Sequence, residues 1–267
     1  MSNLAGRPDS LPAHRALPML AVIGLAITQL TSARATASCA FADQGEGRVA
    51  EIVDGRSFRL DDGREIKLAG IEAATPDTKA LAALVNGRDV LLRGEDDTPD
   101  RYGRQSAFVT VAGSEMPVQR ELLAEGAALA DPDIADADCA RLLVDAEAEG
   151  RAAHRGIWGS TVIKNAESPD DILSGVGQFT VVEGKVLSVR QAGATTYLNF
   201  GHNWTRGFAV TISKRIMPVF EAAGLVVKSL ENRRIRVRGW VEAQRGTNFG
   251  PRIDVLHVGQ IEILSSN

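Results

Sequence analysis

The stretch Ile52-Val53-Asp54-Gly55-Arg56-Ser57-Phe58-Arg59-Leu60, then Ile66-Lys67-Leu68-Ala69-Gly70-Ile71-Glu72, then Asp100-Arg101-Tyr102-Gly103-Arg104, decides the fold. Apolar and polar residues alternate on both sides of Asp54-Gly55, the pattern of two half-buried strands joined by a tight turn. Ile66, Leu68 and Ile71 continue the apolar set, and Gly103 marks a second turn at the entry to another strand. Three cations, Arg56, Lys67 and Arg104, and three carboxylates, Asp54, Glu72 and Asp77, fall at or beside the ends of these strands. Such a set points either to anion and metal chemistry or to internal charge pairing.

From about residue 48 to residue 158 the chain resembles the thermonuclease (staphylococcal nuclease-like) family. The resemblance implies a small β-barrel with helices, calcium as cofactor and phosphodiester hydrolysis. Arg104, in Tyr102-Gly103-Arg104, matches the family's second phosphate-clamping Arg. Lys67 matches the first, as a point charge without the planar two-donor grip of Arg. The family's Asp-Gly-Asp turn reads Asp54-Gly55-Arg56, so a cation stands where one calcium ligand is expected. Glu72 matches the other ligand. Ala73-Ala74-Thr75 has no acid where the family's water-orienting Glu belongs, and Asp77 is the shifted carboxylate available to replace it. A cation at position 56 repels a neighbouring unit charge by about 4 kcal/mol at about 4 Å and an effective dielectric near 20. Together, the lost ligand, the lost Arg and the lost acid remove most of the expected rate, because phosphoryl transfer rests on positioning and charge stabilisation. The structural alternatives stay open: Asp54-Gly55 as a plain turn, Glu72 as a partner of Arg56 or Lys67, and Arg104 as part of a surface turn.

The 267 residues, 44% of them hydrophobic, suffice for two domains with real cores. Residues 1–37 read as a secretory signal peptide: Arg7 and Arg15 precede an apolar run at 16–30, and Ala-x-Ala sites follow at 33–37. The run is shorter than a membrane span, so no span is expected once the leader is cut near Ser38, and the location is periplasmic or secreted. Export makes the two cysteines, Cys39 and Cys139, an expected disulfide. Lipidation at Cys39, free thiols and metal binding are the alternatives.

Residues 38–171 hold 15 Lys and Arg against 27 Asp and Glu, a net of −12, whereas residues 172–267 hold 12 against 6, a net of +6. The expected division is a nuclease-like domain at 38–160, a linker at 161–177 rich in Ser, Pro, Asp and Gly, and a second domain at 178–267. In the first, strands are expected at 47–60, 65–71, 89–94 and 104–111, with helices from Pro117 to Gly126 and over 135–155. Trp158 is its expected core anchor. In the second, strands at 179–189, 195–200 and 208–212, a helix at 214–223, and strands at 234–242, 253–256 and 260–264 follow the order of an oligonucleotide/oligosaccharide-binding (OB) barrel. The fold class is thus mainly β with α, an OB-like nuclease barrel followed by a second OB-like barrel.

Strand alternation places Arg234, Arg236, Arg238 and Trp240 on one face. A basic row ending in an aromatic suits single-stranded nucleic acid or another polyanion, while a solvated face with Trp240 at the barrel end is the structural alternative. Tyr197 and Trp204 either extend that surface or belong to the core. Three functions remain in view: a degenerate nuclease relative that binds nucleic acid with little hydrolysis, an active metal-dependent nuclease using Asp77 with Asp54 and Glu72, and a cell-envelope interaction module.

Overall fold

Thirteen residues, Ala42–Asp54, form β1, and its length organises the first half of the molecule. The computed structural model describes residues 39, 41–134, 136–160, 162–203, 205–243 and 250–265, and the expected signal peptide and Trp204 lie outside them. β1 is followed by β2 (Ser57–Leu60), β3 (Glu65–Leu68), β4 (Ile71–Ala73), α1 (Lys79–Val85), β5 (Asp89–Gly94), β6 (Arg104–Val111), α2 (Val118–Ala124), β7 (Ala128–Ala130) and α3 (Ala137–Ala152). The end of β1 pairs with β2 and its beginning with β5, which closes a barrel of order β1-β2-β3-β6-β5. Phe58, Leu60, Ile66, Leu68 and Leu92 fill the barrel, and Leu122, Leu123, Leu143 and Ala146 of α2 and α3 cap it. β4 and β7 form a separate two-stranded ribbon beside it.

The second half runs through β8 (Lys164–Asn165), α4 (Pro169–Leu173), β9 (Phe179–Lys185), β10 (Ser188–Ala192), β11 (Thr195–Asn199), β12 (Ala209–Ser213), α5 (Met217–Ala222), β13 (Arg234–Ala243), β14 (Pro251–Val255) and β15 (Ile261–Ile263). Its curled sheet has the order β10-β11-β12-β14-β13-β9-β8, with β15 also on β13. β9 and β10 are consecutive stretches of one strand, broken only at Val186 and Leu187. The cyclic order therefore repeats that of the first half, including one parallel contact in each: β3 with β6 and β12 with β14. The architecture is mainly β with short helices, consistent with OB-like barrels.

Within the expected linker, residues 162–177 contribute a strand, a helix and core side chains to the second half. β8 pairs with β9, and Ala166 and Ile172 are buried in the second core. Ser168-Pro169-Asp170-Asp171 is punctuation that serves a loop and a helix start equally, and here it starts α4 with proline in the first turn and two acids after it. Trp158 is buried as expected, and with Leu129 and Val181 it forms an apolar seam shared by the two halves. The residues 37–267 accordingly make one compact unit. Gly126 closes α2 at φ +67°, where a Cβ would lie 2.2 Å from the Arg155 carbonyl oxygen, so the turn after α2 rests directly on the backbone after α3.

Cys39 and Cys139 are joined, with Cα atoms 4.6 Å apart and 100 residues of separation. Cys139 sits in the first turn of α3, where Asp136 accepts hydrogen bonds from the Asp138 and Cys139 amides at 2.9 and 2.8 Å. The bridge thus fastens the chain ahead of β1 to the helix that caps the first barrel. Cys139→Ser is expected to lower unfolding stability by about 2–5 kcal/mol. Denaturant titration with and without reductant checks this, since reductant should destabilise the parent and leave the variant unchanged.

Candidate functional site

Arg56, the cation at the expected ligand position, does not turn to solvent. It lies just past β1, where the Asp54 carboxylate accepts the Arg56 amide hydrogen at 2.8 Å and fixes the turn. The loop carrying Ala73, Thr75 and Asp77 packs on Gly55, where a Cβ would be 3.0–3.2 Å from its atoms. The Arg56 guanidinium therefore points inward, donates to the Ile71 carbonyl at 3.2 Å and forms an ion pair with Glu72 on β4. Both side chains are largely buried. Glu72 is thus a partner of Arg56.

Lys67, half-buried on β3, faces outward because its neighbours Ile66 and Leu68 fill the barrel. Burial pushes its ammonium below the ordinary lysine value, with Arg56 adding to the effect. Burial raises the Glu72 carboxyl against the opposing pull of Arg56 and Lys67. Sequence reasoning missed Asp131, which follows β7. Burial raises its carboxyl and Asp133 adds to that, while Lys67 and Arg56 oppose it. Its only sequence signal is Asp131-Pro132-Asp133 after a short apolar run. The result is a balanced cluster, Arg56 and Lys67 against Glu72 and Asp131, at the mouth of the first barrel.

Arg104 opens β6 but is committed locally. Its Nε and Nη2 donate to the Asp100 carboxylate at 3.0 and 2.8 Å, and that carboxylate also accepts from the Tyr102 and Arg104 amides. Arg104 in turn lowers Asp100 to about 2. Tyr102 is exposed, with Arg101 and Arg104 over its ring at 4.8 and 5.2 Å. Asp77 accepts from the Lys79 amide at 2.9 Å and starts α1. Among the described residues no group of three acids, His or Cys is placed to hold a metal. Asp54 is turned back on its own loop and Glu72 is neutralised by Arg56, so these residues do not fit calcium. The expected metal pair of Asp54 and Glu72, with Asp77 as water-orienting acid, is not assembled.

The basic row on β13 is likewise not an open platform. Arg234 and Trp240 at its ends are exposed, with Trp240 edge-on to Phe179, but Arg236 and Arg238 are 8% and 1% exposed. Arg236 is held by Glu183 at 2.5 Å and by Glu262 at 2.7 Å. Arg238 reaches across to the first half, donating to Glu147 of α3 at 2.7 Å and to the Ala130 carbonyl at 3.3 Å. Alternation put the four residues on one face correctly; that face is covered by α3, β9 and β15 instead of solvent. Arg238→Ala should therefore destabilise by about 1.5–3 kcal/mol, since it removes one of the two guanidiniums on the buried Glu147 carboxylate. Arg234→Ala should stay within about 0.5 kcal/mol. Chemical denaturation of both variants compares them.

The raised Asp131 carboxyl gives a pH signature. A carboxyl raised in the folded state binds its proton more tightly there than in the unfolded chain. Stability therefore falls as pH climbs from the ordinary value of 3.8 through the folded value. Asp131→Asn removes that loss. It should raise the melting temperature at neutral pH, and the gain should shrink toward nothing below the ordinary carboxylate range, as melting scans at the two pH values will show.

No curated protein matches the chain. The family model described as "Staphylococcal nuclease homologue" matches residues 71–160. The match takes in Glu72, Asp77 and Arg104 but starts after Asp54, Arg56 and Lys67. From β4 to the turn after α3, then, the chain carries a domain of the staphylococcal nuclease homologue family.

Proposed function

We propose that this protein is an exported nuclease homologue that binds single-stranded nucleic acid and does not hydrolyse it. The observation that carries the reading is the Arg56–Glu72 ion pair. It places a guanidinium on the one carboxylate that matches a metal ligand of the family, and Asp54 and Asp77 are spent on a turn and a helix start. Without a metal and an oriented base, the remaining cations offer charge to a phosphate but no means of activating water. Export is supported by the basic-apolar-small pattern of residues 1–37 and by the Cys39–Cys139 bridge. No helix among the described residues is long and apolar enough to cross a membrane. The excess of cations over acids in residues 172–267 makes the second half the better partner for a polyanion, since the first half carries the opposite balance.

Two measurements on the disulfide-bonded chain test this. Incubation with single-stranded DNA and calcium should yield no more cleavage than incubation with chelator. Anisotropy titration with a labelled single strand should show binding that weakens steeply with added salt. Calcium-dependent cleavage that Arg104→Ala abolishes would sink the reading and restore an active site built around Asp77.

A further inference from the structure

Resting on the proposal of strand binding without hydrolysis, we infer that its binding site is the pocket on the outer face of β10, β11, β12 and β14, taking one nucleotide of a single strand with its base on Tyr197 and its phosphate at Arg190. The pocket has a volume of about 380 Å³, within the size range of small-ligand sites. Alternation explains why it exists. Leu198, Val210, Ile212, Ile253 and Val255 point into the core, so the intervening residues must face outward. Register then aligns Arg190, Tyr197, Thr211 and Asp254 across four strands as one rung, and Asn199, Ala209 and Arg252 as a neighbouring one. Gly207 and Gly250 frame the rim with bare backbone: a Cβ on Gly250 would lie 2.3 Å from the Arg206 and Gly207 carbonyl oxygens.

The charge state of the lining selects the ligand. Its carboxylate neighbours are engaged: Glu242 holds Arg252 at 2.7 Å, and Asp254 accepts from Thr211. Arg190 lines the pocket, and the acid that feels its charge, Glu231, is held by Lys228. The groups left over are therefore an exposed guanidinium, the amide of Gln191, and a half-exposed aromatic ring between Ala192, Ala209 and Pro251, while the Asn199 amide nitrogen is engaged by Ser188 at 3.2 Å. A sugar site needs free acceptors for hydroxyl groups. The Gln191 amide offers an acceptor as well as donors, so it is the cation beside a stacking plane that favours a phosphate and a base.

The test is an anisotropy titration of the disulfide-bonded chain with fluorescein-labelled oligothymidylate at low salt. Tyr197→Ala should weaken binding about tenfold or more, with Tyr197→Phe near the parent. Arg190→Glu should weaken it comparably, and an abasic strand of equal length should bind the parent as poorly as oligothymidylate binds Tyr197→Ala. Melting scans verify that each variant is folded. Unchanged binding by folded Tyr197→Ala and Arg190→Glu would overturn this site while leaving the proposed function standing. A parent that binds no strand at all overturns both. Displacement of the strand by an uncharged oligosaccharide would overturn the nucleotide assignment in favour of a sugar.

Discussion

The Glu147 carboxylate is the constraint on which the arrangement of the two halves depends. It is fully buried on α3 and accepts from the Ala130 amide at 2.8 Å, from Arg151 at 3.0 Å and from Arg238 at 2.7 Å. One acid thus ties a helix and a ribbon strand of the first half to the central strand of the second. A buried ion pair contributes little net stability, since desolvation offsets most of its attraction. Its directional demands fix how β13 docks, because any other seating leaves the buried Arg238 without its acid. The apolar seam of Trp158, Leu129 and Val181 supplies adhesion, and the ion pair supplies register.

The same principle empties the candidate catalytic site of its chemistry. At the barrel mouth, as at the interface, a buried acid has acquired a guanidinium, and the pair Arg56–Glu72 fills space a metal would need. Burial weighs on Lys67, Glu72 and Asp131 alike, each held against its preferred charge state. Such a cluster is under electrostatic tension and retains a cationic edge at Lys67. What it lacks is convergence of carboxylates.

Much of this fold is legible from local pattern. The sequence pattern located β3, β5 and β6 and the 47–60 stretch that holds β2 and most of β1, though not the first five residues of β1, and proline and glycine bracketed α2. Other features, β7 and β8 among them, escaped, several for identifiable reasons. α1 is Lys79 followed by six residues of Ala, Leu and Val, its N-cap Thr78 makes no side-chain capping bond, and it is too short for a helical period to emerge. α4 hides in residues that also spell a loop. The partners of Arg236 and Arg238 are Glu183, Glu262 and Glu147, 53, 26 and 91 residues away, so nothing near the arginines signals that they are covered. The pairing of Arg56 with Glu72 was within reach of sequence reasoning because only the β2–β3 hairpin separates them. Asp131 was not, since its proximity to Lys67 comes from the β4–β7 ribbon.

The shared strand order of the two halves carries a consequence for how the chain reaches its native state. Each sheet is completed by a parallel contact between distant segments, β3 with β6 and β12 with β14, and neither contact can form until a helix and at least one further strand have been placed. Closure of long loops ahead of any compensating burial makes such topologies slow. Two successive half-closed sheets of the same order expose equivalent open edges at the same time, and each edge is a template for the other's missing strand. The Cys39–Cys139 bridge bears on that hazard, since it anchors the start of β1, the strand whose two pairings close the first sheet, to the helix that caps that sheet.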